Sequence, residues 1–298
     1  MSAAAEPRIA PSPGPGPGPG PGPGPGHGAA GPGAGPRANA GGGRSVPRAW
    51  HLIERNLFVY RRTWTIIVSG FFEPLFYLVG IGYGLGRLVG DVTGPGGTPI
   101  PYAAFVAPAL LATGAMNGAI AESTFNFFFK LNYNRTFQSI LATPLAVRDI
   151  AIGELGWALT RGGLYAIGFM AVIAVMGLVS SPLAILAIPA ALLLGFAAGA
   201  VGMAATSFMR SPQDFDLINV FTLPLFLFSA TFYPIETYPE AVRTIVTWTP
   251  LYQGVALIRG LTVGVVGPEM LVHVAYLVVM GSIGLWITAR RLDRVLLK

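Results

Sequence analysis

The sequence predicts an all-α integral membrane protein with six transmembrane helices. Apolar residues make up 53% of the 298-residue chain and charged residues only 11%, with a mean hydropathy of +0.61. Soluble domains carry roughly 25% charged residues. Six apolar runs are each long enough for the ~20 residues that a helix needs to cross the hydrocarbon core. Arginine and lysine lie mainly at the ends of these runs, on one predicted side of the membrane.

The composition also excludes several classes of site. The chain has no cysteine, and its three histidines, His27, His51 and His273, are far apart in sequence. Disulfides and thiolate chemistry are therefore excluded, and a histidine metal site is disfavoured. The net charge of +6 comes from arginines dispersed at the ends of apolar runs. It does not come from a basic patch interleaved with aromatic residues, so the sequence gives no support for a nucleic-acid partner.

The chain begins with a low-complexity segment. Residues 1–46 are rich in proline and glycine, with a period-two repeat over 13–26. Collagen needs glycine at every third residue, and this segment has too few apolar side chains to offset the entropy of ordering. We expect a disordered cytosolic tail. The predicted transmembrane domain begins at residue 47 and extends to residue 298.

An amphipathic helix is predicted over 47–62, PRAWHLIERNLFVYRR. Its apolar residues Trp50, Ile53, Leu57 and Tyr60 recur at helical spacing. An ordinary surface helix shows the same pattern. The direct continuation into an apolar run favours a helix that lies in the cytosolic interface, with tryptophan and arginine at the headgroup level.

The predicted spans follow in order. They cover 65–88, 103–124, 155–179, 183–208, 215–233 and 268–289. Between the last two, residues 234–267 are apolar but interrupted by proline and glycine, so we expect re-entrant or external helices there.

The distribution of basic residues predicts the orientation. With the N-terminus in the cytosol, only Arg87, Arg243 and Arg259 fall on the external side. The cytosolic segments then hold Arg44, Arg48, Arg55, Arg61, Arg62, Lys130, Arg135, Arg148, Arg210, Arg290, Arg291, Arg294 and Lys298. This asymmetry predicts that both termini face the cytosol.

The first span contains a glycine at every second position from residue 80 to residue 86. A helix turns about 200° in two residues, so Gly80 and Gly84 form one small-residue stripe and Gly82 and Gly86 form another on the opposite side. Such stripes let a neighbouring backbone approach closely, either within one bundle or at a dimer interface.

The same span carries Glu73 next to Pro74. A carboxylate near the bilayer centre costs ~3 kcal/mol, so Glu73 should face protein or water. Proline removes one backbone hydrogen bond and can kink the helix. A gating hinge and a static kink both fit this pair.

Three segments resemble the ABC-2 type exporter permeases, in the branch of nodulation-factor lipo-oligosaccharide and daunorubicin-resistance exporters. They are FFEPLFYLVGIGYGLG at 71–86, NRTFQSILATPLAVRDIAIGELGWALTRG at 134–162, and LPLFLFSATFYPIETYPEAVRTIVTWTPLYQGVALIRGLTVG at 223–264. In the third segment the family pattern has glycine where this chain has Ala230, which we interpret as a detail of packing.

The resemblance implies a mechanism. Such permeases have no ATPase site and bind no cofactor themselves; ATP and Mg²⁺ are held by a separate ATP-binding-cassette subunit. Two permeases, identical or related, pair in the bacterial inner membrane, among membrane lipid, and move an amphipathic substrate. The cytosolic element that docks to the ATPase would fall in 130–149. Its exposed face would consist of Arg135, Thr136, Phe137 and Gln138, and Pro144 would end the element. The alternative is a solvated loop that only links the second and third spans.

Other residues of the same segments are candidates for the pathway and its outer mouth. Glu154 and Arg161 are seven residues apart, roughly 10 Å along a helix, so each needs another partner. Arg161 has the alternative of extending to the inner interface. The external element would contain Phe232, Tyr233, Pro234, Pro250 and Arg259. Its aromatic residues fit either substrate contact or the interfacial belt.

Two other functions are alternatives to an exporter permease. An ion-coupled secondary transporter would use Glu73 as its proton carrier and would need no ATPase. A membrane-embedded lipid-processing enzyme would need a convergent acid, base or nucleophile, and the sequence shows no such group of residues. The glycines of the first span do not form a G-x-G-x-x-G motif, and no G-x-x-x-x-G-K-[ST] motif occurs anywhere in the chain, so the sequence predicts that the chain does not bind ATP through such a loop.

Overall fold

The structure is a computed structural model that describes residues 72–134 and 136–297. The predictions for the tail over 1–46 and for the amphipathic helix over 47–62 lie outside the described residues. So do the first residues of the first predicted span, and Arg135.

Helices form most of the described chain. Helix α1 is described over 72–89 and is π-helical over Leu78–Leu85. A hairpin of strands β1 (Asp91–Thr93) and β2 (Pro99–Pro101) connects it to the next helix. The helices that follow are α2 (Tyr102–Asn132), α3 (Thr136–Leu141), α4 (Val147–Val175), α5 (Ala187–Thr206), α6 (Phe215–Phe228), α7 (Glu240–Thr247), α8 (Pro250–Val263) and α9 (Glu269–Leu296).

The hairpin contains two short strands that the all-α prediction did not include. Its two strands are antiparallel, with Val92 opposite Ile100. Gly96 and Gly97 in the connecting turn have φ angles of +73° and +78°, which glycine adopts without steric cost. With three residues in each strand, the hairpin closes the connection between α1 and α2 and leaves the helical architecture unchanged.

Four helices of the described chain are long and apolar enough to cross a membrane. They are α2, α4, α9 and the run Pro182–Thr206 that includes α5. These helices coincide with the second, third, fourth and sixth predicted spans. Helix α6, in the fifth predicted span, has 14 residues and is about 21 Å long. It ends at Phe228, because the chain turns sharply at Ala230. Since α6 is shorter than the ~20 residues that a crossing helix needs, the six-span arrangement stays a prediction.

The main core is built around α2 and α5, which pack against each other and against α4 and α8. Residues of α2 are buried without interruption from Tyr102 to Thr113. Small residues permit this close packing. A methyl group on Gly162 of α4 would lie 2.9 Å from the carbonyl oxygen of Ala115, and one on Gly284 of α9 would lie 2.8 Å from the backbone of Ala200. Side chains larger than hydrogen would therefore separate these helices.

A second apolar cluster joins α3 to the ends of α2, α4, α5 and α9. The rings of Phe127 and Phe137 lie 5.3 Å apart, and Ile140, Met203 and Leu292 pack beside them. The cluster fixes α3 against the long helices, so a force on α3 would reach all of them through packed side chains.

A hydrogen-bonded turn precedes α6. The carboxylate of Asp214 accepts hydrogen bonds from the backbone N–H groups of Arg210 (2.8 Å) and Ser211 (3.1 Å). These bonds lower the pKa of Asp214 because they stabilise its charged form. The stabilisation is present above the usual pKa of aspartate and is lost as the pH falls through the lowered value.

Candidate functional site

A polar cavity lies between α1, α2, α4 and α6. Its volume is about 540 Å³, within the range of ligand pockets. Its polar lining residues include Glu73, Asn117, Arg161, Tyr165, Asn219 and Thr222. Leu223 and Phe226 supply an apolar wall. We refer to this space as the polar cavity.

Arg161, which lines the polar cavity, forms an ion pair between α4 and α2. The guanidinium of Arg161 donates through Nη1 to Glu122 Oε1 and through Nε to the hydroxyl of Tyr165, the latter at 3.0 Å. Asn126 donates to the other oxygen of the same carboxylate at 2.7 Å. The Arg161 side chain is 13% exposed and that of Glu122 is 2% exposed. Arg161 therefore bonds to groups between α2 and α4, which favours a paired role over the alternative in which it extends to the inner interface.

A second ion pair joins the same two helices. Lys130 Nζ lies 2.6 Å from Glu154 Oε2, and the Glu154 side chain is almost completely buried. As the seven-residue spacing predicts, Glu154 and Arg161 do not bond to each other; each finds a separate partner on α2. The two pairs connect α2 and α4 at two levels along their length.

Sequence reasoning missed the partners on α2. Glu122 lies inside an apolar run, and an acid in such a run is expected to pair or to face water. That signal was present in the sequence. It did not indicate Arg161 as the partner, because the pairing depends on which two helices are neighbours.

Glu73 and Pro74 both line the polar cavity. The Pro74 ring packs against Gly114 of α2, where an added methyl group would lie 3.2 Å from its Cγ atom. The π-helical part of α1 begins at Leu78, four residues after the proline. Single π-turns are frequent at functional sites, and this one extends over eight residues.

The two glycine stripes of α1 have different surroundings. Gly82 and Gly86 pack against Ala103 and Tyr102 of α2. A methyl group on Gly80 would meet nothing within 4 Å, and one on Gly84 would meet only the helix's own backbone. In the described chain, one stripe is therefore packed and the other is open.

The predicted docking face on α3 needs a correction. Phe137 is completely buried, because α3 places it with Ile140 in the second apolar cluster. Thr136 is half-buried and Gln138 is exposed, whereas Arg135 lies outside the described residues. The helix ends at Leu141, three residues before Pro144. The exposed residues of α3 and of the turn leading into α4 include Gln138, Ser139, Thr143, Pro144 and Arg148, which we call the α3 surface.

Arg259 of α8 is the central residue of the predicted external element. Its side chain donates from Nε to the carbonyl of Phe105 (3.1 Å) and from Nη2 to the carbonyl of Ala230 (2.8 Å). Its guanidinium also stacks on the Phe105 ring, 3.7 Å from the centroid. These contacts connect α8 to α2 and to the loop after α6.

The aromatic residues of this element differ in exposure. Phe232 is buried, with its ring 5.1 Å from that of Phe226 and its carbonyl accepting a hydrogen bond from Tyr102. In the described chain it therefore packs between the helices, and its burial favours neither substrate contact nor the interfacial belt for this residue. Tyr233 is exposed. Pro234 begins the turn that follows, and Pro250 is the first residue of α8, a position that favours proline.

Replacing Ala230 with glycine is expected to stabilise the protein by about 1 kcal/mol. Ala230 has a φ angle of +53°, in the left-handed region that costs an L-residue about 1–2 kcal/mol. The glycine usual at this position is thus explained by backbone conformation, not by packing as the sequence suggested. The thermal unfolding midpoint in detergent measures the gain. Ala171→Gly, at an exposed position inside α4, is the control and should be destabilising by about 1 kcal/mol. A lower midpoint for Ala230→Gly would contradict the conformational explanation.

The sequence of this chain is similar to one protein family and to several curated proteins. The family model of the ABC-2 type transporter matches residues 47–263. Nodulation protein J of Sinorhizobium fredii is 32% identical over 232 residues, which cover 78% of this chain and 87% of that protein. Nodulation protein J of Rhizobium leguminosarum bv. trifolii is 31% identical over 76% of this chain and 85% of that protein. That of Rhizobium meliloti is 31% identical over 70% of this chain and 76% of that protein.

Proposed function

The chain belongs to the ABC-2 type transporter family, and from that premise we propose that it exports a lipophilic or amphipathic molecule across the bacterial inner membrane, powered by a separate ATP-binding-cassette ATPase. A permease of this family is a transport subunit and not itself an enzyme. The polar cavity between apolar helices is the observation that carries the substrate proposal. Glycolipids, lipid-linked saccharides and hydrophobic drugs all have the required chemistry.

The proposed membrane arrangement has six spans with both termini in the cytosol. Helices α2, α4, α5 and α9 have the length and composition for four of them. Helices α1 and α6 would be the first and fifth spans. Helices α7 and α8, with the hairpin, would then lie on the external side, and the α3 surface would face the cytosol.

The polar cavity is the proposed substrate pathway. Asn117, Asn219 and Thr222 offer hydrogen-bonding groups to the polar part of a substrate, while Leu223 and Phe226 offer apolar contact to its hydrophobic part. The Glu122–Arg161 pair carries no net charge in itself, and the carboxyl group of Glu73 is a further polar group of the lining. The cavity therefore suits a substrate with a polar headgroup and an apolar tail.

The α3 surface is the proposed docking site for the ATPase, which would hold ATP and Mg²⁺. Closure of the ATPase would press on α3, and the second apolar cluster would transmit the movement to α2, α4, α5 and α9. The Lys130–Glu154 pair lies near this cluster and would keep α2 and α4 moving together.

The proposed assembly contains a second permease, either an identical copy or a related chain. The open stripe of Gly80 and Gly84 permits close approach of another helix. Phe76 of α1 and Phe221 of α6 are each 70% exposed, so both helices also present large apolar side chains that lipid or a second permease would cover.

Purification of the tagged full chain from native membranes in a mild detergent tests the proposal. We expect an ATP-binding-cassette subunit to co-purify in stoichiometric amount, with ATP hydrolysis that requires both chains. Purification of the chain alone, with no effect of ATP on transport in vesicles, would contradict it. That outcome would favour the ion-coupled alternative, and Glu73 in the polar cavity would be the residue to replace.

A further inference from the structure

A second cavity, separate from the polar cavity, lies where the hairpin, the loop after α6, α8 and the start of α9 meet. Its volume is about 370 Å³, at the lower end of the range for ligand pockets. Residues from each of these elements line it, among them Gly96, Glu236, Tyr252, Ala256, Arg259 and Glu269. We call it the hairpin-end cavity.

The base of the hairpin-end cavity carries a buried cation. Arg259 lines the cavity and is only 6% exposed. Its Nε and Nη2 atoms donate to backbone carbonyls, and the described residues provide no acceptor for Nη1. No carboxylate oxygen of the described residues lies within 4.0 Å of this guanidinium. A buried charge is costly unless it is paired, so the geometry leaves a place for an anion.

The exposed rim of the same cavity carries the opposite charge. Glu236, in the turn before α7, and Glu269, at the start of α9, both line the cavity and are exposed. A ligand that fits this arrangement has an anionic group that reaches the base and a cationic group that stays near the rim. A simple anion would satisfy Arg259 but would be repelled by the two carboxylates.

The hairpin-end cavity lies at the first turn of α9, a helix that is long and apolar enough to cross a membrane. Val266, which follows the lining residue Val265, is 55% exposed, and Leu271 and Val272 are exposed on other sides of α9 than the lining residues. Apolar side chains exposed near the end of a membrane helix would contact acyl chains, so lipid headgroups would lie within reach of the cavity. This position favours a lipid over a small soluble zwitterion.

We propose that the hairpin-end cavity binds the headgroup of a zwitterionic phospholipid, with the phosphate at Arg259 and the ammonium group between Glu236 and Glu269. Arginine is suited to phosphate because its planar N–H groups match phosphate oxygens. The bound headgroup would hold together the hairpin, the loop after α6, α8 and α9. This binding requires neither the ATPase nor a transported substrate, so it is tested independently of the proposed function.

Native mass spectrometry of the delipidated full chain tests the proposal. The probes are dioctanoyl phosphatidylethanolamine, dioctanoyl phosphatidylglycerol and free phosphoethanolamine. We expect saturable binding of one phosphatidylethanolamine, about ten-fold tighter than either of the other two. Equal binding of phosphatidylglycerol would overturn the zwitterionic assignment. Equal binding of free phosphoethanolamine would overturn the assignment to a lipid.

Two variants locate the binding without removing Arg259, whose loss would also release the carbonyls of Phe105 and Ala230. Ala256→Leu places a larger side chain in the cavity and should weaken phosphatidylethanolamine binding about ten-fold. The matched control, Ala174→Leu at an exposed position on α4, should leave it unchanged. The double variant Glu236→Gln/Glu269→Gln should lose the preference for phosphatidylethanolamine over phosphatidylglycerol. Unchanged binding in Ala256→Leu, or an unchanged preference in the double variant, would overturn the proposal.

Discussion

Replacing Arg161 with methionine is expected to destabilise the folded protein by about 3–5 kcal/mol, the usual cost of removing one partner from a buried ion pair. Glu122 would lose its ion pair with Arg161 while remaining buried. Transport should also fall, because Arg161 lines the polar cavity. The unfolding midpoint in detergent, the yield of monodisperse protein and transport in vesicles measure these losses.

A double variant separates the charge from the packing in this prediction. Glu122→Leu/Arg161→Met removes both charges of this pair and should recover most of the lost stability, since apolar replacements of buried pairs are often neutral. Transport should stay low if Arg161 also contacts substrate. Arg290→Met is the matched control, because Arg290 is exposed and stacks on Trp286 with a ring distance of 4.1 Å. Wild-type stability in Arg161→Met alone would show that the ion pair does not hold α2 to α4.

The long helices could be predicted from the sequence because their signal is local. An uninterrupted apolar run with charges at its ends predicts a membrane helix whatever surrounds it. The spans near α2, α4, α5 and α9 were placed correctly on this basis. The fifth predicted span was too long as a helix, since its apolar run continues to Tyr233 while the backbone turns at Ala230. Hydropathy carries no information about such a break.

The contacts of the candidate site depend on which helices become neighbours, and the sequence does not contain that information directly. Arg161 was identified as a residue that needs a partner, but Glu122 was not identified as that partner. The family resemblance implies that Phe137 is exposed on a docking face, whereas the structure buries it. A helical signal argued otherwise: Phe137, Ile140 and Leu141 are spaced as one apolar face of a helix. This local pattern predicts burial of Phe137, in agreement with the structure.

A second large effect, on transport and on ATPase association, is expected from substitutions at the α3 surface. Ser139→Trp and Arg148→Glu are each expected to reduce ATP-driven transport at least about ten-fold and to weaken co-purification of the ATPase, because a bulky ring or a reversed charge at a docked surface opposes binding. Both residues are exposed, so the unfolding midpoint should change by no more than the equivalent of about 0.5 kcal/mol. Transport in vesicles, ATP hydrolysis by the complex and unfolding of the purified chain are the three measurements.

Phe137→Ala distinguishes docking from folding in the same segment. Phe137 is completely buried in the second apolar cluster, so its truncation should cost about 3–5 kcal/mol of stability and reduce transport through loss of folded protein. Arg243→Glu, an equal charge reversal at an exposed position on α7, should leave coupling and stability unchanged if α7 faces the outside. Full ATPase association in both Ser139→Trp and Arg148→Glu would contradict docking at the α3 surface. Loss of association in Arg243→Glu would instead contradict the proposed orientation, since α7 would then have to lie on the side of the ATPase.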